Sequence, residues 1–174
     1  MKAIRLIALA ACMAATLDAS AQEQEIRLFS HRGGRMEHDE NTLSAFQASY
    51  DAGYRGFETD IRMTRDGALV ITHDSSLERT TDGTGTVEEK TEAEIRQLAT
   101  KQGNKMMFLD ELLEFLKGKE GLYVEFEMKT KPVELYPEER LHAYCDKLYD
   151  AVMAVKPADA VFVFTSGDYR GLRY

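Results

Sequence analysis

Apolar residues in this chain recur with two periods. Short apolar runs at residues 25–30, 56–61, 68–72, 122–128 and 161–165 read as strands, where successive side chains point to opposite faces. Helical spacing separates them. Leu43, Phe46 and Tyr50 share one face of a helix over 42–52, with Asn41 as the expected N-cap and Gly53 just past its end. Thr91 with Glu94 three residues on predicts a capping box and a short helix to about residue 99. Residues 109–116 form another, stopped near Gly118, and Leu141, Leu148 and Val152 mark one side of a helix over 137–155. Asp66-Gly67 is a turn signal. Such turns join antiparallel strands, yet strand–helix alternation calls for parallel ones. The expectation is that residues 62–65 carry the chain back, leaving 68–72 parallel to 56–61.

Polar residues gather at the ends of these strands. His31 and Arg32 follow the first, Glu58 and Asp60 lie on one face of the second, and His73 ends the third. Glu125 and Glu127 share a face of the fourth, with Lys129 just beyond. Carboxylates crowded on one face repel unless a cation sits between them, and oxygen ligands suit a hard ion such as Ca²⁺ or Mg²⁺. Two histidines, the side chains that titrate between pH 5 and 8, can divide acid and base work. Taken singly, each of these is an ordinary loop or a solvated strand face. Their order and spacing together are not.

The order is H-R-G at 31–33, E-N-T-L-S-A-F at 40–46, E-T-D-I at 58–61, T-R-D-G-A-L-V-I-T-H-D at 64–74 and L-E-R-T-T-D-G-T-G at 77–85. This series resembles the glycerophosphodiester phosphodiesterase family. The resemblance implies an α/β fold, a TIM-type (β/α)₈ barrel whose site is built at the C-terminal strand ends. It implies metal-dependent hydrolysis of small-molecule glycerophosphodiesters to an alcohol and glycerol 3-phosphate, with Ca²⁺ or Mg²⁺ as cofactor. By position, Glu58, Asp60 and Glu127 would hold the metal, and His31 and His73 would be the acid–base pair. Arg32 and Lys129 would contact the phosphate, and Glu40 would orient the site from behind. Glu125 stands where the family often has asparagine and is given a supporting role at most. Asp39 replaces a proline, and Met107-Phe108 replace Pro-Thr. His38 and His142 have no counterpart and read as a loop and a helix-surface histidine.

Composition adjusts this picture in three places. The chain has 174 residues, 44% hydrophobic and 30% charged, enough for one well-buried domain. A charge of −8 argues against a nucleic-acid partner and makes a cation necessary for handling an anionic diester. Residues 1–21 read as a signal peptide: Lys2 and Arg5, an apolar run over 6–17, then Ala19-Ser20-Ala21. The expected location is therefore periplasmic or secreted, without stable membrane insertion. Leu9-Ala10-Ala11-Cys12 offers lipoprotein anchoring through Cys12 as the alternative.

The domain expected over 22–174 supplies about five of eight barrel strands, the first two-thirds of a family domain. An unclosed barrel leaves open sheet edges and hence a route to self-association. Weak cation binding and slow hydrolysis are expected of such a chain. Two other functions stay open at this point: a barrel phospholipase acting on intact lipid, and an inactive fragment that binds metal and phosphate.

Overall fold

Alternation along one strand sets the orientation of the whole sheet. The computed structural model describes residues 27–174; the expected leader, Cys12 and the start of the first expected strand lie outside the described residues. The elements in chain order are β1 (Phe29–His31), α1 (Leu43–Asp51), β2 (Gly56–Met63), β3 (Leu69–Ile71) and α2 (Glu92–Ile95). They continue with α3 (Leu109–Leu116), β4 (Tyr123–Met128), α4 (Glu138–Val155), β5 (Val161–Ser166) and α5 (Tyr169–Arg173). On β2, Phe57, Thr59 and Ile61 point one way and Glu58, Asp60 and Arg62 the other, as a period of two requires. The apolar side faces α1, α3 and α4, where Phe46, Phe57 and Phe115 pack with ring centroids 5.8–6.2 Å apart. Val124, Phe126 and Met128 of β4 join that core, as do Leu112, Leu116, Leu148 and Val152 of the helices. Burial of each such side chain is worth about 1.5–3 kcal/mol. The charged side is left to line the interior.

Strands β1, β2, β4 and β5 lie side by side in that order and all parallel. Helices cover one face, so the described residues build four neighbouring staves of an incomplete TIM-type barrel. Register aligns the interior residues: His31 beside Glu58 beside Glu125, and Asp60 beside Glu127 beside Thr165. The outer edges of β1 and β5 have no strand partner among the described residues.

The fifth strand does not run as expected. β3 pairs antiparallel with β2, Ile61 opposite Ile71 and Met63 opposite Leu69. The turn is tight: Thr64 N–H donates to Ala68 O at 2.8 Å, Thr64 Oγ1 holds Asp66 at 2.7 Å, and Gly67 has φ +88°. Residues 62–65 therefore do not carry the chain back. The carbonyl of Glu58 accepts from Arg32 N–H at 3.1 Å, and that of Asp60 accepts from Thr72 N–H at 2.9 Å. β3 thus extends the same edge of β2 that β1 occupies, above the end of β1. The excursion that follows has a core of its own, built from Ala68, Val70, Leu77, Val87, Ile95, Met106 and Phe108.

Smaller differences have local causes. Thr42, not Asn41, caps α1, its Oγ1 accepting from Ala45 N–H at 3.3 Å. The Thr91 capping box forms as expected, but α2 ends at Ile95. α5 was not anticipated; Asp168 starts it, accepting from Arg170 N–H and from Thr130 Oγ1. His142 lies on the surface of α4 and stacks on Tyr174, ring centroids 3.9 Å apart. His38 is exposed in a loop.

Candidate active site

The interior residues of β2 and β4 converge where register predicts. Carboxylate oxygens of Glu58, Asp60 and Glu127 all lie within 4.8 Å of one another. Asp60 is fully buried and Glu58 nearly so. Asp60 Oδ2 accepts from Asn41 Nδ2 at 2.9 Å and lies 3.3 Å from Arg32 Nε. Glu58 Oε2 accepts from Arg32 N–H at 3.0 Å and lies 3.5 Å from His31 Nε2. Among the described residues, Glu58 Oε1 and Asp60 Oδ1 are buried without a hydrogen-bond partner. The Lys129 ammonium lies 3.2 Å from Asp60 Oδ1, an ion pair without hydrogen-bond geometry, and 2.5 Å from Glu127 Oε1. Burial, reinforced by the charge of Asp60, pushes the Glu58 carboxyl up to about 8. Orphaned buried oxygens in an all-oxygen donor set fit a hard divalent cation. Glu125 points the same way but is engaged, accepting from Thr165 Oγ1 at 2.9 Å.

The raised Glu58 has a measurable consequence. Below pH 8 its carboxyl holds a proton that an incoming cation must displace. Apparent affinity for Ca²⁺ or Mg²⁺ is expected to rise with pH up to about 8, with close to one proton released per ion bound at pH 7. Calorimetry in two buffers of different ionisation enthalpy reads that proton. Affinity that is flat from pH 6 to 8 would place the ion elsewhere.

The H-R-G segment reaches this cluster by a strained turn. Arg32 has φ +54°, a conformation uncommon outside glycine, and Gly33 follows at +76°. A Cβ on Gly33 would come within 3.0 Å of Ala45 Cβ, so that glycine lets the turn lie against α1. Asn41, at φ +58°, closes the loop by donating its N–H to Arg32 O at 2.9 Å. Arg32 is buried, its Nη1 on Glu40 at 3.1 Å. Burial, with the charges of Arg32 and Arg35, lowers the His31 pKa, so its ring is neutral at pH 7.

His73 arrives from the hairpin. Its Nδ1 lies 2.6 Å from Asp74 Oδ1. Burial would raise the Asp74 carboxyl, but hydrogen bonds with Arg79 and His73 outweigh it and hold the group at about 2. An ionised carboxylate only accepts, so Nδ1 carries the proton and Nε2 is left for chemistry. Repulsion from His73 is among the smaller influences on His31. A cleft of about 410 Å³, lined by His73, Asp74, Glu127, Lys129 and neighbours, opens beside the cluster.

The chain matches the glycerophosphoryl diester phosphodiesterase family model over residues 31–169, a stretch that contains every residue of this cluster. The chain belongs to the glycerophosphoryl diester phosphodiesterase family. A glycerophosphodiester phosphodiesterase of Caldanaerobacter subterraneus is 37% identical over 123 residues, covering 66% of this chain and 50% of the relative. The glycerophosphodiester phosphodiesterase of Agrobacterium tumefaciens superposes with a TM-score of 0.68 at 27% identity, over 86% of this chain and 61% of that one. An Oleispira antarctica phosphodiesterase, solved with the product sn-glycerol-3-phosphate, superposes at 0.74 with 26% identity, over 85% and 60%. The chain spans about half the length of the relatives it matches by sequence.

The structure brings together all eight residues singled out by sequence: His31, Arg32, Glu40, Glu58, Asp60, His73, Glu127 and Lys129. Sequence reasoning missed four others. Asn41 orients Asp60, Asp74 fixes the His73 ring, Arg79 joins Asp74 to Glu40, and Arg62 pins two loops. Asn41, Asp74 and Arg79 lie inside the quoted family segments, which was the available signal.

Proposed function

We propose that the chain carries the chemical half of a metal-dependent glycerophosphodiester hydrolase, yielding an alcohol and sn-glycerol 3-phosphate. The observation that carries this reading is the convergence of Glu58, Asp60 and Glu127, with two orphaned oxygens, beside His31 and Arg32. A divalent cation, Ca²⁺ or Mg²⁺, held by those three carboxylates would supply Lewis-acid charge neutralisation at the phosphate.

The other roles belong to the protein's own side chains. Arg32 presents its planar fork to the diester, braced by Glu40 and Asp60. Lys129 adds a point charge on the β4 side. His31, neutral at pH 7, takes the proton from the attacking hydroxyl. His73, acting as the imidazolium with its Nδ1–H fixed on Asp74, delivers its second proton from Nε2 to the leaving alcohol. Where water attacks, sn-glycerol 3-phosphate forms directly. Where the substrate's own glycerol hydroxyl attacks, the alcohol leaves a cyclic phosphodiester that water must then open. In both cases the attacking hydroxyl's proton passes to His31.

We place the reaction outside the cytoplasm on the strength of residues 1–21 alone. No helix among the described residues is long and apolar enough to cross a membrane. The edges of β1 and β5, without a strand partner among the described residues, support self-association, which light scattering reads. Release of sn-glycerol 3-phosphate from glycerophosphocholine, with Ca²⁺ or Mg²⁺ and again with a chelator, tests the reading. Cation-dependent release that the chelator abolishes is expected. Release that ignores the chelator would defeat the proposal.

A further inference from the structure

We propose that Arg79 is a positioning residue, a clasp that locks the His73 ring and the Arg32 fork into one rigid unit across the cleft. The inference rests on the hydrolytic reading above for its kinetic arm but not for its spectroscopic one. Arg79 Nη1 and Nη2 donate to the two oxygens of Glu40 at 3.0 and 2.7 Å. Its Nε donates to Asp74 Oδ2. The other oxygen of Asp74 holds His73 Nδ1 at 2.6 Å, and Glu40 Oε1 also accepts from Arg32 Nη1 at 3.1 Å. An unbroken chain of ionic hydrogen bonds therefore runs His73–Asp74–Arg79–Glu40–Arg32. It joins the H-R-G loop after β1 to the segment after β3, two strands that lie one beyond the other along the same edge of β2.

Only a guanidinium can make this join. Three of its N–H groups lie in one plane and reach two carboxylates at once, whereas an ammonium is a single point charge. Without it Asp74 keeps only the His73 proton and Glu40 only Arg32, and each carboxylate can rotate. A free Asp74 no longer selects the Nδ1–H tautomer, so Nε2 presents a proton in one molecule and a lone pair in the next. Burial works against Glu40 and Asp74, yet the hydrogen bonds from Arg79 hold both carboxyls below their ordinary values. Arg79 is itself half exposed, and its backbone segment is held separately by buried Leu77 and by Thr81 Oγ1 on Leu77 O at 2.7 Å. Its removal should therefore leave the loop in place and act on orientation.

The test uses the full chain with Arg79→Met and Arg79→Lys. Long-range ¹H–¹⁵N spectra of the His73 ring, recorded without substrate under conditions where the ring is neutral, should show the Nδ1–H tautomer in the wild type and a tautomer mixture in both variants. Melting temperatures should stay within a few degrees of wild type. With glycerophosphocholine and Mg²⁺ or Ca²⁺, kcat should fall about 10–100-fold, the range for loss of a partner that orients a reacting group. KM should change much less, and Arg79→Lys should not restore kcat. A His73 ring spectrum in Arg79→Met identical to wild type overturns the proposal, whatever the rates do. Absence of product from the wild type would overturn the hydrolytic reading instead, while the ring spectra still decide the role of Arg79. Should Arg79→Met fail to fold, Arg79→Lys is read by the same spectrum.

Discussion

His73→Ala is expected to cut turnover of a glycerophosphodiester by about 10²–10⁴-fold, the usual contribution of a general acid or base. KM should barely move. The ring is one-third exposed and contributes to neither hydrophobic core, so its loss removes a proton donor and little packing. The backbone stays fixed, because Arg62 Nε holds His73 O at 2.9 Å irrespective of the side chain. A group that acts mainly in the transition state lowers kcat and kcat/KM together. Steady-state kinetics on the variant, beside a thermal melt, separates this from a folding defect. A KM increase that accounts for the whole loss would make His73 a binding residue and would leave the reaction without its acid.

The charged face of β2 was legible in advance because Glu58 and Asp60 are two apart, and strand geometry then leaves them no choice of side. Strand geometry put Glu125 and Glu127 on one face without choosing between them; the family resemblance chose Glu127, and the sheet register sets it beside Asp60. The direction of β3 was not. A period-two run such as 68–72 looks the same from either end, and the decision comes from distant partners. Thr72 N–H finds Asp60 O and Ile71 N–H finds Met107 O, neither of which local pattern shows. Asn41 was misread as a helix cap because Asn41 and Thr42 are both good caps and adjacent. Tertiary demand decided between them, since Asp60 needs the amide of Asn41. Arg79 gave no local signal either: its partners Glu40 and Asp74 are 39 and 5 residues away.

Arg62→Ala is expected to destabilise the fold by about 3–5 kcal/mol, the cost of stripping one partner from a buried ion pair. Arg62 Nη1 donates to Glu88 Oε1 at 2.7 Å, and the two side chains are only 8% and 2% exposed. The same nitrogen reaches Lys129 O and Lys131 O at 3.2 and 3.1 Å. Alanine would leave Glu88 with Ser75 Oγ and Tyr136 Oη as its remaining donors, neither of them charged. It would also free the loops that carry His73 and Lys129, so catalysis should fall along with stability. Urea denaturation measures the first effect, and activity at a temperature where the variant is fully folded measures the second. Arg62→Lys should recover only part of the stability, because one ammonium cannot reach all four acceptors. A variant within 1 kcal/mol of wild type by this measure, well below the usual cost, would mean that water replaces the arginine.

The hairpin at Thr64–Gly67 also has a consequence for how the site can vary. His31 rides on a barrel stave and is anchored through Ser30 to α1. His73 instead rides on the excursion that packs around Val70, Leu77 and Phe108. The gap between the two rings is therefore set by β2, which holds the backbone on both sides of it, together with the separate core of the excursion. Met107 and Phe108 are neighbours in sequence but belong to different cores. Changes of side-chain volume at these two positions are therefore expected to act on the packing behind the His73 segment without altering any residue that lines the cleft.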